Sequence, residues 1–277
     1  MNSGDKIYNL IRVLWPINRS LTGNGNRKTL KILKNLNSNL KIKEVTSGTR
    51  VYDWKIPLEW NVKKAYIKDI NTNRKIVDFN SNNLHLMGYS IPIKKKILNF
   101  NQLNSKINYI KSNPDAIPYT TSYYKKDWSF NISYNSFKKI NRSSKFLIFI
   151  DTQLKKGSMS YGEIFIKGKS SKEFLISTYI CHPSMANNEL SGPALSIFLS
   201  KWLRQNGNNF YSYRFVFIPE TIGSIYYINK NLLRLKKNTL GIFNITCVGN
   251  ESRISFLPTK YQNTFLDRLV IKYLKSK

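Results

Sequence analysis

Histidine is nearly missing from this 277-residue chain, which has only His85 and His182, and cysteine is as scarce, with Cys181 and Cys247. No zinc-finger spacing and no disulfide framework can be built from so few. Each cysteine ends an apolar run, so both are expected as reduced, buried core residues, a usage that fits the cytoplasm. No run of about eighteen apolar residues occurs, which excludes a helical membrane span. The start, "MNSGDKIYNLIRVLWPINRS", lacks the basic-then-apolar order of a secretory signal. Neither a GxxxxGK[ST] loop nor a GxGxxG turn is present, so the common phosphate cradles are absent.

Acids are few as well. Fifteen Asp and Glu stand against 45 Lys and Arg, a net charge of +30. Such a balance attracts polyanions in general. The lysines are nonetheless scattered, as in "KKAYIKD", "IPIKKKI" and "LLRLKKNTL", and they accompany abundant Asn and Ile, the mixture that AT-rich codons produce. Nucleic acid is therefore disfavoured as a partner. With 41% hydrophobic and 13% aromatic residues the chain has the material for a packed core.

Residues 3–14 carry apolar side chains at helical spacing, "WPINRSLTGNGN" breaks that helix, and "RKTLKILKNL" resumes it. From about Tyr52 to Lys145 the texture becomes short, aromatic and β-branched strands. The strands "KFLIFIDTQ", "YGEIFIKG", "EFLISTYIC", "YRFVFIPE" and "GIFNITCVGN" follow, with helices after the third, the fourth and the last. Continuous apolar strands alternating with amphipathic helices predict an α/β fold with a doubly wound, mostly parallel sheet. The expected division is a body of residues 1–45 and 146–277 around an inserted β-rich domain of residues 46–145.

In open α/β sheets, ligands bind beyond the carboxyl ends of the strands. Three strands end there in polar groups: His182 after "STYIC", Glu220 after "RFVFIP", and Asn250-Glu251 after "FNITCVG". Glu189 opens the next helix, where the macrodipole favours an acid whatever the function. His182 before Pro183 also fits a hydrogen-bonded turn. Glu220 has no packing purpose at the end of a buried strand. One histidine with two or three carboxylates suits a divalent ion with nitrogen and oxygen ligands, zinc first, and a carboxylate beside such an ion serves as a general base for hydrolysis. His85, in "NLHLMGYS", is expected to be structural.

Seven ordered stretches, "WPINRSLTGNGNRKTL", "DWKIPLEW", "NLHLMGYSIP", "IPYTTSYY", "STYICHPSMANNELSG", "PETIGSIYY" and "TCVGNE", resemble the aminopeptidase-like proteins found with bacterial polysaccharide-biosynthesis genes. That family is similar, distantly, to the co-catalytic zinc aminopeptidases and carries an inserted domain of unknown function. The resemblance implies that His182 is a zinc ligand, that "ANNELSG" is the loop of the metal-bridging acid, that Glu220 is the general base, and that Asn250 stands where a further acidic ligand belongs. It also implies more sheet, a late ligand histidine and a winged helix beyond Lys277, so the chain is expected to be truncated.

The departures from the pattern lower the expected charge of the site. Asn188 is neutral at the bridging position unless Glu189 takes over, Thr221 stands where a metal-binding glutamate would, and Asn250 is an amide. One zinc ion is expected rather than two, held by His182, Glu189 and Asn250, with Glu220 as base. The expected activity is an impaired metal-dependent hydrolase of a peptide or amide bond in a small-molecule substrate, in surface-polysaccharide biosynthesis. A catalytically inactive binding or scaffold protein is the second reading.

Overall fold

A computed structural model describes residues 2–249 and 255–276. Helix α1 (Ser3–Leu14) starts at Asn2, whose side chain accepts from the Asp5 amide while Asp5 returns the bond, and it buries Leu10 and Leu14. Helix α2 (Asn24–Leu36) follows Gly23, whose φ of 103° and close approach to the Trp60 carbonyl leave no room for a Cβ. Next come β1 (Lys41–Thr46), the short pair β2 (Arg50–Val51) and β3 (Trp54–Lys55), β4 (Glu59–Asp69), β5 (Lys75–Asp78) and β6 (Ile93–Leu98). Helix α3 (Phe100–Asn104), β7 (Ile107–Asn108), β8 (Phe130–Asn131) and α4 (Tyr134–Lys138) lead to β9 (Phe146–Lys155). The remainder is β10 (Ser158–Ile166), β11 (Glu173–Tyr179), α5 (Ser191–Asn206), β12 (Ser212–Ile218), α6 (Ile222–Asn238), β13 (Thr239–Asn244) and α7 (Phe265–Lys275).

The larger sheet has the order β1-β10-β12-β11-β13. β11 is parallel to both β12 and β13, whereas β10 is antiparallel to β12 and to β1. Four of its five strands therefore run in one direction, and the fold is α/β with a mostly parallel sheet. One face buries Ile164, Ile176, Phe215 and Phe217 against Leu10, Leu14, Leu30, Leu33 and Ile197 of α1, α2 and α5. The other face buries Tyr161, Leu175, Val216 and Ile218 against Tyr227 and Leu235 of α6. Phe217 is fully buried on the central strand. Phe217→Ala is expected to cost about 3–5 kcal/mol, whereas Leu233→Ala, at a side chain 85% exposed, should change stability by less than about 0.5 kcal/mol. Urea unfolding of the two variants checks the contrast.

A second sheet, β5-β4-β9-β6, is antiparallel throughout. Its strand β9 is "KFLIFIDTQ" with its flanks, expected above as the first strand of the body after residue 145. It instead pairs with β4 along Glu59–Asp69. The reason lies in its alternation: Phe146, Ile148, Ile150 and Thr152 are buried while their neighbours are not, the pattern of a strand packed on one face. The two sheets share one continuous apolar cluster that joins Ile67, Phe146, Ile148 and Ile150 to Met159, Tyr161 and Val216. No helix among the described residues is long and apolar enough to cross a membrane.

Candidate active site

β11, β12 and β13 all point their carboxyl ends at one edge, and the chain leaves each with chemistry attached. After β11, Ile180 and Cys181 are buried, and His182 follows with a side chain only 10% exposed. Ser184 then turns the chain through a positive φ of 46°. Residues Ala186–Leu190 form a π-helical turn before α5. That wide turn, a feature frequent at functional sites, directs Glu189 inward and leaves Asn188 exposed. After β12, Glu220 has a half-exposed carboxylate. Thr221 behind it holds φ 57° and ψ −87°, a strained conformation for a β-branched residue.

These turns bring His182, Glu189 and Glu220 together. Glu189 Oε1 accepts the His182 backbone N–H at 2.7 Å, and its Oε2 lies 2.6 Å from His182 Nδ1. A carboxylate only accepts, so Nδ1 carries the proton and Nε2 is left with its lone pair. Nε2 is 3.4 Å from Glu220 Oε2. Glu189 is fully buried and is also met by Arg19, whose Nε donates to Oε1 at 3.3 Å. Cys181 Sγ accepts the Glu220 backbone N–H at 3.2 Å. Burial, together with the charge of Glu189, pushes the Cys181 thiol well above its ordinary range. The rings of Tyr119 and Tyr179 stand edge-on to the imidazole at 4.9 and 5.7 Å, and burial raises both phenols, so both are neutral.

Among the described residues, one group of three could offer ligand atoms to a metal ion. Cys181, His182 and Glu220 have donor atoms within 4.8 Å of one another. Glu189, expected as a ligand, has both oxygens of its fully buried carboxylate engaged by Arg19 and His182. Asn188 Nδ2 reaches Cys247 Sγ at 3.8 Å. Asn250 and Glu251 lie outside the described residues, although Gly249 just before them donates to Asn187 Oδ1 at 2.8 Å, which brings the segment after β13 beside the π-helical turn. Cys247, expected in the core, is exposed, since β13 stops at Asn244 and the chain has left the sheet before reaching it.

Two groups escape a reading of the sequence. Arg19 lies in a turn rich in Pro, Asn and Gly, where local pattern signals a loop and nothing signals a buried cation. The only hint is Glu189 itself, an acid beside the apolar "LSGPALSIF" that needs a counter-charge once buried. Tyr119 comes from "IPYTTSYY", far from the strand ends.

His85 is not part of the site. Its Nδ1 donates to the Asn131 carbonyl at 2.7 Å, and burial lowers its basicity below the ordinary 6.5 despite that bond and Asp78. The unfolded chain therefore binds more protons between the lowered folded value and about 6.5. The stability from His85 is fully present above about pH 6.5 and is lost as pH falls through the folded value. Urea unfolding at pH 7.5 and 5.5 should show a loss in the wild type that His85→Gln reduces, and equal losses in both would contradict this.

The whole of residues 8–277 matches the family described as "Domain of unknown function (DUF4910)". A curated protein of Clostridium acetobutylicum, named "Putative polysaccharide biosynthesis protein with aminopeptidase-like domain", is 44% identical over 272 residues, covering 98% of this chain and 61% of that protein. The chain thus spans about three-fifths of that relative's length. A crystal structure described as that of a "putative peptidase" from Clostridium acetobutylicum superposes with a TM-score of 0.93 at 44% identity, over 98% of this chain and 63% of the other. The zinc aminopeptidase BSAP of Bacillus subtilis superposes with a TM-score of 0.57 at 12% identity, over 89% and 68% of the two chains. A peptidase M28 precursor from Shewanella amazonensis gives 0.56 at 13%, over 86% and 69%. The last two likenesses show the fold alone, an aminopeptidase-like one. On the family match and the 44% identity, the chain belongs to the DUF4910 family.

Proposed function

We propose that this chain carries the site of a metal-dependent hydrolase of a peptide or amide bond, weakened relative to a two-zinc aminopeptidase and used on an amino-sugar precursor in surface-polysaccharide assembly. The observation that carries the reading is the His182 imidazole, held at Nδ1 by buried Glu189 with Nε2 beside the half-exposed Glu220 carboxylate. Metal-binding histidines characteristically give their second ring N–H to a carboxylate in this way. The aminopeptidase-like fold and the relative's name support the reaction class, and the name supports the pathway.

The donor set fits one zinc ion and not two. His182 would hold it through Nε2, with Cys181 Sγ as a poor second donor because burial keeps the thiol protonated. A second ion would need a bridging carboxylate, and Asn188 is an amide while Glu189 is committed to Arg19 and His182. Bound there, zinc would supply electrophilic polarisation of the scissile carbonyl. The remaining work belongs to the chain. Glu220 accepts a proton from the attacking water and returns it to the leaving amine. Glu189 fixes the imidazole ring, and Tyr119 and Tyr179 shield it from bulk water. Native mass spectrometry after zinc addition tests the metal half: one bound ion per chain is expected, and either none or two contradicts the reading.

A further inference from the structure

The cation behind Glu189 is the least expected part of this site. Arg19 sits between α1 and α2, 170 residues from its partner in sequence, and is fully buried. Its Nη1 donates to the Leu14 carbonyl at 2.6 Å and its Nε to Glu189, while Nη2 is buried with no hydrogen-bond partner. The recess it lines, with Ser20, Tyr89, Tyr119 and Tyr123 among its neighbours, has a volume of only about 10 Å³. That is room for roughly one water molecule, too little for any substrate group, so Arg19 does not serve as a binding pocket. An unmade buried donor costs stability, and a buried ion pair is often replaceable by apolar side chains without loss. Packing alone therefore gives no reason for an arginine here.

We propose that Arg19 is a positioning residue: it holds Glu189 as a pure acceptor, and through Glu189 it fixes His182 in the tautomer whose free Nε2 faces Glu220. The inference deepens the hydrolase reading and rests on it for its purpose, but the geometry it concerns does not depend on a bound ion. Glu189 takes three hydrogen bonds, from Arg19 Nε, from the His182 backbone and from His182 Nδ1. With the guanidinium removed, no cation holds the carboxyl as an acceptor, and Nδ1, which also lies 3.4 Å from Cys181 Sγ, is no longer tied to a pure acceptor at 2.6 Å.

Only two histidines exist, so two-bond ¹H–¹⁵N spectra of the metal-free protein report both rings, and His85, whose Nδ1 pairs with the Asn131 carbonyl, serves as the internal control of folding. At a pH where the spectra show both rings neutral, wild-type His182 should carry its proton on Nδ1. Arg19→Met and Arg19→Gln should shift the population toward Nε2–H, and Arg19→Lys should keep the wild-type tautomer, with His85 unchanged in all three. A neutral variant that folds and retains the Nδ1–H tautomer, or a lysine variant that loses it, would overturn the proposal. Zinc affinity should fall at least about tenfold in the neutral variants. If the wild type takes up no zinc while the tautomer shifts as expected, the metal reading fails and the positioning role stands.

Discussion

Glu220→Gln is expected to lower the hydrolysis of aminoacyl amides by at least about a hundredfold, the usual contribution of a positioned general base, while leaving the fold and the zinc content unchanged. The geometry makes this change unusually clean. The Glu220 side chain is half exposed and approaches His182 Nε2 at 3.4 Å. Its backbone N–H, which donates to Cys181 Sγ, is untouched by the substitution. Glutamine matches the shape and keeps one oxygen, but it cannot accept the proton of an attacking water. Zinc content measured beside the rates separates a lost base from a lost ligand. A variant that loses its zinc together with its turnover would move Glu220 from the base to the metal set.

His182→Ala is expected to abolish zinc uptake and turnover together. His182 Nε2 is the nitrogen donor directed at the site beside the Glu220 carboxylate, whereas Glu189 is engaged and Cys181 is held as a thiol. The substitution also strands Glu189, which would keep Arg19 and the backbone N–H of residue 182 but lose its partner on Oε2. A fall in stability of about 1–3 kcal/mol follows from the unmet buried acceptor, so thermal unfolding must accompany the metal titration. Zinc bound with undiminished affinity by a folded alanine variant would contradict the assignment.

The strand order explains what the sequence made legible. "EFLISTYIC" and "YRFVFIPE" are dominated by apolar residues, so their burial on both faces and their common direction could be anticipated, and His182 and Glu220 fall at one edge as a consequence. The division of labour between Asn188 and Glu189 could not, because it depends on a π-helical turn that shifts by one residue which side chain faces inward. Arg19 was hidden for a different reason: its partner is 170 residues away and only the tertiary fold buries it. The stretch "LNSKINYIKS" has helical spacing, yet the helix ends at Asn104 and Ile107 pairs with Phe130. Burying Ile107 in the shared core outweighs the local preference for helix.

On the proposed reading, the neutral, exposed Asn188 offers no bridging carboxylate to a second ion, and Thr221 follows Glu220 in a strained conformation. One weakly held ion and slow turnover are the consistent outcome, because a single imidazole and a protonated thiol hold zinc less firmly than the three protein ligands of a catalytic zinc site.

The most direct test of a weakened hydrolase is the initial rate of wild-type protein on a panel of aminoacyl amides as zinc is raised, with the Glu220→Gln protein as background and folding verified in both. The account predicts slow turnover that rises with zinc, saturates near one equivalent and disappears in the variant. Folded, zinc-loaded wild type with no turnover above that background would contradict it and leave a binding or scaffold role for this chain.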